Sequence, residues 1–161
     1  MGQKGTKIIE LNVKELIQDM NKALADEWLA YYQYWIGAKV IQGRAMHFIR
    51  EEMEEHAKEE LKHADMLAER ILTLGGTPLL TPEKWFKETI CGYVAPKNFS
   101  SQALIKQNLS AERCAIAVYQ KLVKKTDGKD HLTHQMFLSI LKDEVEHEDD
   151  LENMLSAFKS G

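Results

Sequence analysis

Two segments of the chain pair a carboxylate with an imidazole at one spacing, Glu60-Leu61-Lys62-His63 and Glu144-Val145-Glu146-His147. Three residues is close to one turn of an α-helix, so each pair projects from a single face and can reach one ion or two adjacent ions. Glu27 and Glu112 interrupt apolar stripes in the same way, the first between Leu24 and Tyr31, the second between Asn108 and Ala115. All six side chains are expected to point inward. A buried carboxylate is costly unless it is paired, and four acids facing one interior would also repel each other, so cations must be present. One Glu from each of two helices plus a Glu-x-x-His from each of two others is the ligand pattern of carboxylate di-iron or di-manganese centres. Oxygen-rich ligation with one imidazole per metal suits iron or manganese, whereas a structural zinc site more often recruits thiolates and closes at four ligands. Glu27 and Glu112 are expected to bridge or chelate from the helices facing the two pairs.

An internal repeat supports this. Glu27 and Tyr34 are seven residues apart, as are Glu112 and Tyr119, and Glu60 and Glu144 follow Glu27 and Glu112 by 33 and 32 residues. A single Glu-x-x-His in so glutamate-rich a chain is ordinarily a solvated helix pair. Two of them, 33 and 32 residues beyond a Glu on an apolar stripe, reverse that judgement. Tyr34 and Tyr119 read as core residues that hydrogen-bond a ligand, in preference to redox partners. His56, one turn before Glu60, is either an extra ligand or a satisfied core histidine. The acidic run Glu51 to Glu60 reads as a solvated face apart from Glu60. Cys114, two residues past Glu112, is rotated about 200° from it, and on sequence alone Cys91 and Cys114 read as small buried hydrophobes.

These residues need long helices to position them. Asn12 with Glu15 marks a capping-box start, and the stripe Val13, Ile17, Met20, Leu24, Tyr31, Tyr34, Ala38, Ile41 predicts a helix over about 13–42. A second stripe from Met46 to Leu74 runs into Gly75-Gly76 and Pro78 and predicts a helix over about 44–74. Thr81-Pro82-Glu83 predicts a short helix over about 82–91 inside a long crossover. Two more helices are expected over about 101–126 and 131–158, and with three residues beyond Phe158 no fifth helix is expected. The fold class is therefore all-α, one domain over 1–161, with two helical hairpins joined by a crossover in the ferritin-like manner.

The composition is consistent with that. It is 44% hydrophobic and 29% charged with three prolines, which suits a helical globular chain. No apolar run approaches the roughly 20 residues of a membrane span. Met1 to Lys7 lacks the apolar stretch of a secretory signal, so a cytoplasmic location is expected. A net charge of −4 argues against general nucleic-acid binding, and DNA binding is expected to be absent or weak. Two cysteines are too few for a disulfide framework.

Over nearly its whole length the sequence resembles the bacterioferritin and Dps superfamily. The segment Glu27-Trp28-Leu29-Ala30-Tyr31-Tyr32-Gln33-Tyr34 is similar to the bacterioferritin first-helix motif, and Glu60-Leu61-Lys62-His63-Ala64-Asp65 to its second. The resemblance is strongest to the Dps-like thioferritins, which combine a bacterioferritin-type site within one subunit with a cysteine pair near it. Cys91 and Cys114 stand at those places, so the resemblance implies a redox-active pair able to form a disulfide. It further implies a hollow dodecameric shell that binds two iron ions per subunit, oxidises Fe(II) with hydrogen peroxide or oxygen, stores the ferric product and protects against oxidative stress. Haem is not expected, because Leu61 stands where bacterioferritins carry the haem methionine. The alternatives are a peroxidase or manganese-catalase-like enzyme that stores nothing, and a DNA-coating protein of the Dps type.

Overall fold

Asn12 begins the first long helix as the pattern requires: its side chain accepts from the Lys14 and Glu15 amides at 3.1 and 3.3 Å and donates to Glu15 Oε1 at 3.2 Å. The structure, a computed structural model describing residues 2–158, contains α1 (Gln3–Lys7), α2 (Val13–Val40), α3 (Met46–Thr73), α4 (Pro82–Glu88), α5 (Ser101–Thr126) and α6 (His131–Ala157). Helix α3 starts two residues later than expected, because Gly43 and Ala45 both take positive φ, 94° and 59°, to reverse the chain. It stops where Gly75 enters the left-handed region at φ 84°. There the Gly75 amide donates to Leu72 O and the Gly76 amide to Ile71 O, both at 2.9 Å, in the paired pattern of a glycine-terminated helix.

The fold is all-α and ferritin-like, but the expectation of no fifth helix is overturned. Among the described residues the four long helices are accompanied by two short ones, α1 and α4. Counting apolar stripes finds only helices long enough to show a period, and α1, with five residues, is too short to carry one. Helix α4 ends at Glu88 and not near residue 91, because the Asp26 carboxylate captures the amides of Ile90 and Cys91 at 2.9 and 3.0 Å and draws the chain out of helical geometry.

Helices α2 and α3 form one hairpin and α5 and α6 the other, with α2 beside α5 and α3 beside α6. The crossover lies along α2, where Trp85 stacks on Trp28 with ring centroids 5.0 Å apart. It ends in an isolated bridge between Gln42 and Ser100, from which α5 departs. No described helix is long and apolar enough to cross a membrane.

The apolar core is divided in two. One half packs Leu16, Met20, Leu24, Leu67, Ile71, Leu122, Phe137 and Ile140. The other packs Ala38, Ile41, Ile49, Met53, Leu104, Ile105 and Leu151. Between them lies a band of buried polar side chains.

At the far end of the first half, Asp130 caps α6 through the Thr133 amide and pairs with Arg70 Nη2 at 3.0 Å. Burial would raise the Asp130 pKa, but bonds from Thr133 and the Arg70 guanidinium bring it below the ordinary Asp value. Its contribution is therefore present at neutral pH and is lost as pH falls through that lowered pKa. Asp130→Ala is expected to cost about 3 kcal/mol, since it removes a cap and leaves Arg70 unpaired. Denaturant titration measures this, and a loss below about 0.5 kcal/mol counts against the pairing.

Candidate metal centre

The polar band brings together all six side chains singled out from the sequence. Glu27 on α2, Glu60 and His63 on α3, Glu112 on α5, and Glu144 and His147 on α6 are each at most 2% exposed. Their ligand atoms fall into two overlapping groups, Glu27–Glu60–His63–Glu144 and Glu60–Glu112–Glu144–His147, within each of which the atoms lie no more than 4.8 Å apart. Glu60 and Glu144 belong to both groups. They take the shared position, which leaves Glu27 and Glu112 as the outer carboxylates, one per group.

Each imidazole aims one nitrogen at this cluster. His63 Nδ1 lies 3.5, 3.3 and 3.2 Å from carboxylate oxygens of Glu27, Glu60 and Glu144. His147 Nδ1 lies 3.3, 3.9 and 3.6 Å from those of Glu60, Glu112 and Glu144. One N–H cannot satisfy three acceptors, and Glu27 Oε2, Glu60 Oε1, both oxygens of Glu144 and His147 Nδ1 have no hydrogen-bond partner. Buried orphans of this kind are rare in folded proteins. A cation between them would accept from every one.

The outward nitrogens are occupied. His63 Nε2 faces Asp143 at 3.1 Å and His147 Nε2 faces Glu59 at 2.6 Å. An acid on Nε2 favours a proton there and leaves the Nδ1 lone pair for a metal, the usual orientation device of metal-binding histidines. The tyrosines are exchanged between helices: the Tyr34 hydroxyl of α2 donates to Glu112 Oε1 on α5, and the Tyr119 hydroxyl of α5 donates to Glu27 Oε1 on α2. Burial first, then the neighbouring carboxylates, raise both phenol pKa values, so both keep their protons and act as donors.

With only protons for cations, the charges rearrange. Burial, then repulsion by Glu144, pushes Glu27 well up; burial, then Glu60 and Glu144, does the same to Glu112. Burial would depress the two ligand imidazoles, yet the surrounding carboxylates outweigh it, holding His147 at about 12 and His63 far above the ordinary histidine value. Glu60, against its own burial, is held low by His147 and His63.

His56 is in neither group. It stacks on His147 with centroids 4.1 Å apart and lies edge-on to Tyr34 at 5.1 Å. Burial, with the nearby His147, takes its pKa to about 3. Its Nδ1 is enclosed without a hydrogen-bond partner, and Asp150 lies 3.7 Å from its Nε2. Cys91 and Cys114 are joined in a disulfide with Cα atoms 5.7 Å apart. Cys91 lines a small cleft together with Asp26, Glu27, Glu112 and Glu144, on the α2–α5 face of the centre.

Reading by stripe missed Glu59 and Asp143, and treated the run before Glu60 as solvated. A signal was available: each ligand pair is preceded by an acid, Glu59-Glu60-x-x-His63 and Asp143-Glu144-x-x-His147. Asp26, which receives the Thr89 hydroxyl as well as the two crossover amides, carried no comparable mark.

A four-helix bundle with a buried carboxylate-imidazole centre consistent with two metal ions defines the class of protein. The chain belongs to the ferritin-like family: the Ferritin family model, a ferritin-like domain, matches residues 17–160. It is 45% identical to a dodecameric thioferritin of known structure, the bacterioferritin-related protein from Bacteroides fragilis, covering 99% of this chain and 96% of that one at a TM-score of 0.96. The DNA protection during starvation protein of Pyrococcus furiosus is 31% identical over 100% of this chain and 89% of its own length. The bacterioferritin of Brucella melitensis is 28% identical over 88% of this chain and 83% of its own. The resemblance read from the sequence, thioferritin included, is borne out.

Because metal ligands must be deprotonated and His63, His147, Glu27 and Glu112 hold raised pKa values, loading is expected to release roughly two to four protons per chain. Apparent affinity for Co(II) should rise as pH rises from about 5 to 8. A pH-stat titration measures both, and uptake without proton release would contradict the charge arrangement.

Proposed function

We propose that this centre binds two Fe(II) ions per chain as substrate and oxidises them, and that the ferric product is stored inside a hollow shell of twelve chains. One observation carries the reading: two ligand groups, each of three carboxylates and one imidazole, share Glu60 and Glu144 in a buried position. The donor set suits iron, with manganese the nearest competitor, and holds no thiolate. The dodecameric Bacteroides thioferritin supports the shell, and its 45% identity spans 99% of this chain.

Two bound Fe(II) ions supply one electron each, and hydrogen peroxide accepts both with two protons and leaves as two waters; dioxygen is the other candidate acceptor. The chain's own residues make this favourable. Glu27, Glu60, Glu112 and Glu144 offset the charge gained as each ion goes from +2 to +3. Asp143 and Glu59 keep the imidazole lone pairs inward. Tyr34 and Tyr119 steady the outer carboxylates by hydrogen bonds and, being neutral, add no charge. The apolar halves of the core limit water on either side. The disulfide, beside the α2–α5 cleft, is read as a redox-active pair: once an external thiol reductant has cleaved it, hydrogen peroxide takes two electrons and two protons from the Cys91 and Cys114 thiols, which re-forms the S–S bond and leaves two waters.

Glu60→Gln removes charge from the shared position and is expected to slow Fe(II) oxidation by more than about tenfold, equivalent to at least ~1.4 kcal/mol in the barrier. Rapid-mixing absorbance measures it, and an unaltered rate would refute the assignment. Native mass spectrometry should give about 220 kDa, twelve times 18.5 kDa. Iron uptake far above two ions per chain supports storage, and uptake that stops at two supports a peroxidase or manganese-catalase-like enzyme instead. Counting free thiols in reduced protein before and after peroxide tests the cysteines; an unchanged count of two removes the redox role.

A further inference from the structure

The crossover carries Cys91 past the dinuclear centre, and little apolar packing holds it there. Helix α4 has no buried residue, Ile90 is 53% exposed and Gly92 is exposed. Before this stretch Trp85 stacks on Trp28, and after it Val94 O accepts from Gln107 Nε2 at 2.5 Å. Between these anchors, among the described residues, covalent and polar bonds tie Thr89–Gly92 to the bundle in two ways. One is the Cys91–Cys114 disulfide. The other is Asp26 Oδ1, which accepts from the Thr89 hydroxyl and from the Ile90 and Cys91 amides, the latter two at 2.9 and 3.0 Å. We infer that Asp26 is a positioning residue for the cysteine pair, keeping the crossover seated while the disulfide is open, so that Cys91 stays beside Cys114 and the cleft over the dinuclear centre stays narrow. This rests on the reading of the two cysteines as a redox pair.

Three observations carry it. First, the clamp acts on Cys91 itself. The Cys91 amide is one of the three donors, so the backbone that bears its sulfur is fixed with the two Cα atoms 5.7 Å apart, inside the range a disulfide spans. Reduction then frees only side-chain rotation. Second, the clamp is braced from within. The Thr89 hydroxyl, while donating to Asp26, accepts from the Gly92 amide at 2.7 Å, and Gly92 turns the chain at φ 76°. A carboxylate only 9% exposed is costly without donors, and three on one oxygen offset that cost. Third, Asp26 lies outside the internal repeat. The residue before the outer glutamate of the other hairpin is Ala111, so an acid at this place is not part of the pattern that builds the centre.

The cleft beneath has about 30 Å³ of free space and is lined by Cys91 and Gly92 together with Glu27, Glu60, Glu112 and Glu144. That is room for little more than a water molecule. With Asp26 holding the segment, two external thiols can open the disulfide by exchange without uncovering the buried carboxylates. They leave joined as their own disulfide, and Cys91 and Cys114 gain the two hydrogens.

Two measurements on the intact, metal-free assembly test this: amide hydrogen exchange read by mass spectrometry, and the equilibrium of the pair with 2-mercaptoethanol and its disulfide. In the unmodified protein, reduction is expected to leave the Ile90 and Cys91 amides protected. In D26A the reduced segment should lose that protection. The effective concentration of the two thiols toward each other should also fall by at least about tenfold, from that of fixed groups toward that of a flexible loop. D26N keeps an oxygen for the three donors and should restore the equilibrium to within about threefold of the unmodified value. T89V removes one donor at a partly exposed residue, so it should shift both readings in the D26A direction and serves if D26A does not fold. Loss of protection on reducing the unmodified protein, or equal effective concentrations in it, D26A and T89V, would overturn the inference. A disulfide that 2-mercaptoethanol cannot open in the folded assembly would overturn the redox reading together with it. Iron oxidation enters none of these readings.

Discussion

Four carboxylates in the middle of a helical bundle must be neutralised, and the rest of the architecture follows from how that is done. In water each would be solvated; in the core each needs a proton, a hydrogen bond or a metal. The raised pKa values of Glu27 and Glu112, and of the imidazoles beside them, are what the cluster does with protons alone. The unsatisfied atoms on Glu27, Glu60, Glu144 and His147 show that protons do not complete the task. This polar band also explains why the apolar core is split: the bundle is held by hydrophobic packing on both sides of a centre that packing alone would exclude.

The arrangement has an approximate two-fold character that the helices impose. Each hairpin supplies an outer glutamate from one helix and a Glu-x-x-His from the other, and each outer glutamate is hydrogen-bonded by the tyrosine of the opposite hairpin. That exchange ties α2 to α5 through Tyr34–Glu112 and Tyr119–Glu27, so the geometry of the centre and the docking of the hairpins depend on each other. The symmetry is broken on the α3–α6 face, where His56 takes the place that Ile140 has in the other hairpin and a pocket is lined by acids. It is broken again on the α2–α5 face, where the crossover closes over the cleft. Asp26, next to Glu27, holds that segment by the Thr89 hydroxyl and two amides, and the Cys91–Cys114 disulfide fastens it to α5. The two sides of one centre therefore present different chemistry to whatever approaches.

What was legible in the sequence was whatever helical periodicity encodes. Glu27, Glu60, His63, Glu112, Glu144 and His147 stood out because each is a polar residue where an apolar one belongs, and a 3.6-residue period fixes which side chains share a face. The helix start at Asn12 and the stop at Gly75 were similarly visible as local chemistry. Helix α1 was not, since a helix of five residues shows no period, and its presence overturned the expected helix count. The end of α4 depended on Asp26, more than sixty residues away along the chain, and no local pattern announces such a partner. Which carboxylates take the shared position, the exchange of the tyrosines, the acids behind each imidazole and the solitary His56 were decided only by tertiary structure. They are distances between helices, set by how the hairpins dock, and a pattern along one helix carries no information about the spacing to the next.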